Sequence, residues 1–584
     1  MRPLVPLFLA AAAQAAGTFQ VLWTTDSSGD PDDANAVFGP DGPWQAIYVG
    51  VGSSGESRPM WPSGGGTTMA LTQLPGGAGS IANSSTALRS NVSMASSDDW
   101  FSSIFVGDEP SGFGVVDTVD IIQKVNGQHS QVNTTIVAVE TWPVNFANNS
   151  TYSARVGILG LGPSADKRLG SLAVPAGILS DLKSRGDIAS LSFGLHIGSV
   201  PFKQRGSLVL GGHERNRALG PVGVFRYDTT ESAPLLLLLD VLLGTHIGGS
   251  PFSPPISETT EHSSTSVWRG VGDNFRADEI TKRVGGKPGS AVIMVNPAAP
   301  YMYLPPGTCE AAAAHLPVTF SPELNLFLWD TSSAAYGRII NSPSYLAFVF
   351  ADRTATNITI KVPFHLLNLT LEAPLVATPT QYFPCRPLDS AYGFWMLGRA
   401  FLQAAFLGVD YERNLTYLAQ APGPDMEQSV LVERPAGREG LESNPIEEWE
   451  SSWMKRWTVL AANEEFLAEQ NGNGNGNGLG VGATVGVVMG VLAFVVAACV
   501  GGWYWWKTKR GGEGITMVPG QEEPKEEWAR GYQGFAEVDG GDRPVEVPPK
   551  MMVHEMEAPH VTHEAPGNGE FWGEGGHAPK GQGS

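Results

Sequence analysis

Cysteine is almost absent: three in 584 residues, too few for a disulfide scaffold or a cysteine-rich metal site. Basic residues are outnumbered, 37 Lys and Arg against 58 Asp and Glu, which leaves a net charge of −21. That balance excludes the basic footprint of a nucleic-acid binder, so no nucleic-acid partner is expected. Metal-ligand spacing is missing too. His554, His560 and His563 lie near one another but without a cysteine or a helical frame, and neither a metal nor a cofactor is expected. With 42% hydrophobic residues the chain is nevertheless rich enough to bury a core of two or three domains.

Two apolar runs bear on the membrane. Leu4 to Ala13, after Met1-Arg2 and before the small-residue site Ala13-Gln14-Ala15, reads as a secretory signal peptide over residues 1–16. The stretch 479–506 carries no charge and exceeds the roughly 20 residues a bilayer-spanning helix needs. Trp503, Tyr504, Trp505 and Trp506 form an aromatic belt at its end, and Lys507, Lys509 and Arg510 follow, placing the positive flank on the C-terminal side. Together these predict a type I single-pass protein at the plasma membrane or cell surface, with an extracellular or lumenal ectodomain and the lipid bilayer as a partner. Eight N-x-[ST] sequons, at Asn83, Asn91, Asn133, Asn148, Asn149, Asn357, Asn368 and Asn414, all precede the span, as N-glycosylation of an ectodomain requires.

Around the span the composition shifts. Residues 426–478 read as a stalk in which Asn444 caps a helix, Pro445 takes its first position, and Ile446, Trp449, Trp453, Trp457 and Leu460 make one apolar face. That face either packs on the ectodomain or the lipid surface, or pairs with a second copy. An alternating Asn-Gly octamer, 471–478, then acts as a hinge. Gly482, Gly486 and Gly490 recur every fourth residue within the span, a small-residue face through which a homodimer is one open arrangement. Residues 507–584, with 8 basic and 14 acidic residues and no apolar period, read as a disordered cytoplasmic tail whose partner is undefined.

Between residues 40 and 420, short β-rich runs alternate with Gly, Pro, Asn and Ser clusters; examples are Ala46 to Val51, Gln131 to Thr141, Ser207 to Leu210, Tyr345 to Phe350 and Asn357 to Val362. This predicts an all-β fold. Four motifs punctuate it: G-I-L-G-L-G at Gly157 to Gly162, G-S-L-V-L-G-G at Gly206 to Gly212, V-N-P-A-A-P-Y-M-Y-L-P at Val295 to Pro305, and L-G-R-A-F-L at Leu397 to Leu402. In this order they resemble the framework of the pepsin-like aspartic peptidases, most of all the fungal membrane-anchored branch of that family. The resemblance implies a bilobal pepsin-like fold, with an N-terminal lobe over 17–215 and a C-terminal lobe over 216–425.

An aspartic peptidase holds two carboxylates so close that they share one proton, one acting as general base and the other as general acid. Each belongs to an Asp-Thr/Ser-Gly turn. No Asp in this chain is followed by Thr-Gly or Ser-Gly: Asp26, Asp117, Asp228, Asp330 and Asp389 have the Thr or Ser but not the Gly. Laying the family frame on the sequence puts Ser63 in the first catalytic position and Asn296 in the second, and neither side chain can share a proton. Asp117 falls where the family keeps a structural Asp after the flap, whose Tyr has no clear counterpart. With Cys499 inside the span, Cys309 and Cys385 are left, and an oxidising lumen favours their pairing; pepsin-like C-terminal lobes often carry such a bridge. The expectation is a pseudoenzyme that binds or senses, its inter-lobe cleft still able to accept an extended polypeptide through backbone pairing. An active membrane-anchored aspartic endopeptidase and a structural wall or adhesion protein stay open as alternatives.

Overall fold

The structure is a computed structural model that describes residues 17–461, apart from 28–35, 74–80, 94–110, 146–150, 164–167, 170–171, 227–233, 254–262, 270–289, 355, 390–394, 427–428 and 435–438. The expected signal peptide, Asn-Gly hinge, span 479–506 with Gly482, Gly486 and Gly490, and tail lie outside the described residues. Among the described residues no helix is long and apolar enough to cross a membrane.

The described chain is mostly β, as the alternation of short runs and turn residues predicts. After a two-residue strand β1 (Phe19–Gln20), the first large sheet is drawn from β2 (Ile47–Val51), β3 (Glu56–Ser63), β4 (Thr68–Leu71), β5 (Leu88–Ser93), β6 (Ser111–Ile122), β7 (His129–Thr141) and β8 (Gly157–Gly160). Its order is β2-β3-β8-β4-β7-β6-β5, and an extra pairing of β2 with β6 folds the sheet back on itself. Period-two alternation shows why β7 is a strand. Ser130, Val132 and Thr134 point inward while Gln131 and Asn133 point to solvent.

Two further strands, β9 (Ser192–His196) and β10 (Ser207–Leu210), and then β11 (Leu219–Arg226), lead to the second large sheet. This uses β12 (Leu235–Thr245), β13 (Ala291–Val295), β14 (Met302–Leu304), β15 (Ser344–Ala351), β16 (Asn357–Pro363), β17 (Cys385–Pro387) and β18 (Trp395–Leu397) in the order β16-β15-β12-β13-β18-β14-β17. The last strands, β19 (Ala405–Asp410) and β20 (Leu415–Gln420), join β1, β9, β10 and β11 in a six-stranded sheet ordered β1-β10-β9-β19-β20-β11. That sheet takes strands from both halves of the chain, so the halves cannot separate without breaking its ladder.

The expected disulfide is present. Helix α1 (Pro306–Ala313) carries Cys309, which bridges to Cys385 on β17 with Cα atoms 5.7 Å apart across a separation of 76 residues. In the chain-entropy picture a loop of that length contributes about 4 kcal/mol.

The tryptophan segment departs from expectation. After α2 (Arg399–Leu402), the helix α3 covers only Glu447–Ser451, without a side-chain cap. Asn444 does not serve as its cap because its backbone is committed to β11: its N–H donates to Ala218 O at 2.9 Å and its carbonyl accepts from Gly220 N at 2.8 Å. Past Ser451 the chain leaves helical geometry because its rings are held by the body of the fold. Trp453 lies edge-on to Phe202 at 5.7 Å and stacks on Trp457 at 6.0 Å, while Thr458 N donates to Asn341 O. Trp449, Trp453 and Trp457 are buried but Ile446 is 43% exposed, so the apolar face is narrower than the periodicity implied and is already packed on the body of the fold.

Candidate functional site at a repeated strand unit

The same three-strand unit occurs once in each large sheet. In the first, β8 slips between β3 and β4, running parallel to β3 with Ile158 opposite Trp61 and Gly160 opposite Ser63, and antiparallel to β4. In the second, β18 slips between β13 and β14, parallel to β13 with Val295 opposite Leu397 and antiparallel to β14. Glycine is required where the inserted strand passes the turn. A Cβ on Gly160 would lie 2.6 Å from the Thr67 carbonyl carbon, and one on Gly398 would lie 2.3 Å from Ala299 O, distances no side chain tolerates.

Ser63 closes β3, and Asn296 follows β13. They occupy corresponding places in the two units and make the same local bond. Ser63 Oγ accepts from Gly65 N at 3.2 Å, and Asn296 Oδ1 accepts from Ala298 N at 2.9 Å. Each side chain therefore caps its own turn two residues on. Ser63 is 6% exposed and Asn296 1%.

Contacts across the two units bring these turns into one neighbourhood. Tyr411 Oη donates to Gly64 O at 2.7 Å. A Cβ on Gly64 would stand 3.2 Å from Pro234 Cδ, and Pro234 O accepts from Val295 N, next to Asn296, at 3.1 Å.

Arg399, directly after Gly398 and 2% exposed, touches both sides. Its Nη1 donates to Pro297 O at 3.2 Å and Ala298 O at 2.7 Å, and its guanidinium lies 3.7 Å from the Trp61 ring centre and 5.1 Å from that of Trp44. Stacking on two indoles suits a planar, weakly hydrated cation. Burial draws the Arg399 pKa below its ordinary value, and the Asp41 carboxylate opposes that. Asp41, 4% exposed, accepts from Trp44 Nε1 at 3.1 Å. Burial raises its pKa while Arg399 pulls it down. Tyr382 Oη donates to the Asp41 main-chain carbonyl, and burial, then the charge of Asp41, push the Tyr301 phenol well above its usual range.

The chemistry open to this arrangement follows from its groups. Among the described residues Asn296 Nδ2, Trp61 Nε1 and Arg399 Nε are buried donors with no protein acceptor, so the surplus is of N–H groups. Arg399 adds a buried cation beside the turn that follows Asn296, where it donates to the Pro297 and Ala298 carbonyls.

The other sequence-predicted residues are dispersed. Asp117, on β6, is 1% exposed and accepts from Thr86 Oγ1 at 2.6 Å and Thr118 N at 2.8 Å, bonds that fix local structure. Asn83, Asn133, Asn357 and Asn414 are exposed; Asn368 is half-buried, and its Nδ2 donates to Tyr336 Oη at 2.9 Å. Asn91 belongs to β5, and Asn148 and Asn149 lie outside the described residues. Sequence reasoning did not single out Arg399, Trp61 or Asp41. The available signal was an arginine inside the otherwise apolar run M-L-G-R-A-F-L, since a charge flanked by core residues is seldom solvated.

No family model matches the chain, and no curated protein matches it. Among solved structures, the crystal structure of aspartic proteinase from Irpex lacteus is similar, at 14% sequence identity and a TM-score of 0.43, covering 70% of this chain and 98% of that one.

Proposed function

We propose that residues 17–425 form a pepsin-like ectodomain without hydrolytic activity, carried by a type I single-pass membrane glycoprotein, which works by binding an extended polypeptide. The observation that carries this reading is the correspondence of Ser63 and Asn296: each ends the first strand of the repeated unit and each spends its acceptor on its own turn. A hydroxyl and a carboxamide have no proton to share at any working pH, and a general base alone contributes about 10²–10⁴-fold. Capture of a strand-like peptide needs only backbone donors and acceptors with pockets for alternate side chains, so loss of the acids leaves binding intact. The signal peptide, the one-sided sequons and the charge-free stretch 479–506 support the membrane topology, with the tail as an internal docking segment.

The reading is tested by mixing the purified full-length chain with unfolded, carboxymethylated casein from acidic to neutral pH. Saturable retention of casein without new peptide termini is the expected result. Failure to retain it overturns the binding role, and new termini overturn the inert one.

A further inference from the structure

Away from the repeated unit, a cavity of about 400 Å³ opens between β11, β16, β20 and the α3 segment. Leu219, Pro221 and Ile446 give it apolar walls, and Lys361 and His246 reach it. Strand alternation brings the lysine there: on β16 the side chains of Ile358, Ile360 and Val362 are buried, so Asn357, Thr359 and Lys361 share the opposite face. Gln420 fixes the lysine backbone, accepting from Lys361 N at 2.8 Å and donating to Lys361 O at 3.0 Å.

The Lys361 ammonium is placed with care. It lies 4.9 Å from the Tyr345 ring centre and 5.5 Å from that of Trp449. Its one hydrogen-bond partner among the described residues is His246 Nδ1 at 3.3 Å, and no carboxylate pairs with it there. The far ring nitrogen, His246 Nε2, faces Glu450 Oε2 at 3.2 Å. Trp449 and Trp457, at 5.0 and 6.0 Å, hold the imidazole in position. An amine within reach of a base, with that base oriented by a carboxylate, is the arrangement that activates a nucleophile. Burial draws the Lys361 pKa below its ordinary value while Glu450 opposes the shift, which makes the ammonium a readier proton donor to His246.

Charge narrows the ligand class. One ammonium faces two lining carboxylates, Glu447 and Glu450, so an anion gains little here. We propose that Lys361 is a nucleophile that captures small aldehydes with an apolar body as imines, with His246 as its proton acceptor and Glu450 as the positioning group of His246. The Lys361 ammonium gives a proton to His246 Nδ1, and the imidazolium is held by Glu450. The free amine attacks the carbonyl carbon; the C–N bond forms as the C=O π pair moves to oxygen, which takes the proton back from His246. A second proton passes from nitrogen through His246 to the hydroxyl, which leaves as water while the nitrogen lone pair forms C=N. Amine and aldehyde thus become imine and water, and the single positive charge remains on nitrogen over the two rings.

The test uses the full-length chain, limiting 3-phenylpropanal and sodium cyanoborohydride, with peptide mass mapping to read the rate at each lysine. Lys361 is expected to be reductively alkylated roughly tenfold or more faster than the exposed Lys455, from the general-base contribution. His246→Phe should abolish that preference, and His246→Gln provides a second variant should the first disturb folding, which near-UV circular dichroism reports. Modification of wild-type Lys361 no faster than Lys455, or an undiminished rate in a folded His246 variant, overturns the proposal.

Discussion

Arg399 stabilises the turn that follows Asn296 and, through its stack on Trp61, the strand that ends at Ser63. Replacing it by Met keeps much of the volume but leaves the carbonyls of Pro297 and Ala298 buried without a donor, and each such group costs about 1–3 kcal/mol. Arg399→Met is therefore expected to lower the urea-unfolding free energy by about 2–5 kcal/mol. Arg399→Lys should recover little of this, since an ammonium cannot stack on an indole while donating in a fork. A loss under about 0.5 kcal/mol, the range of ordinary surface substitutions, would contradict the role given to this side chain. That no Asp is followed by Thr-Gly or Ser-Gly was legible in the sequence because turn motifs are local. The Arg399 cluster was not, because Asp41 and Arg399 meet only through tertiary packing.

Among the elements, β9 carries a histidine through which acid is expected to act on stability. His196, on that strand and fully buried, has Nε2 facing Gln403 O at 2.9 Å and Nδ1 facing Arg217 Nη1 at 3.2 Å. An arginine can only donate, so Nδ1 accepts and the ring is neutral. Burial, reinforced by Arg217, lowers its pKa to about 3, and burial with Arg456 lowers that of His365 to about 4. Both folded values lie below the ordinary value of about 6.5. The unfolded chain therefore takes up these protons first, and stability present at neutral pH is lost as pH falls from about 6.5 toward those values, by roughly 1.4 kcal/mol per unit for each histidine. Urea midpoints should fall steadily through the mildly acidic range, and His196→Gln should flatten part of that slope. A midpoint that rises on acidification would contradict the neutral-ring assignment. The strand elements themselves were readable, since period-two burial on β7 and β16 follows directly from alternating residue types. The tryptophan segment was misjudged in length because a three- and four-residue spacing reports which rings are buried. It does not report that Asn444 bonds to the body ahead of the helix or that Thr458 does so beyond its end.

At the scale of the whole molecule, two large sheets each carry one copy of the strand unit, and a third sheet built from both halves ties them together. The disulfide adds a covalent tie within the second half. The mostly β class was legible from turn glycines and strand periodicity. The pairing of β3 with β8 and of β13 with β18 was not, because parallel partners lie about a hundred residues apart and no local pattern encodes their register. Such a scaffold keeps Ser63 and Asn296 in matching places whatever chemistry they support. The central proposal is that this scaffold, with Ser63 and Asn296 at its matching turns, hydrolyses no peptide bond. Peptide release from an unfolded protein by the purified full-length chain at acidic pH, with and without pepstatin, measures it most directly. The account predicts release at the level of the protein-free control in both cases, whereas turnover that pepstatin abolishes would contradict it.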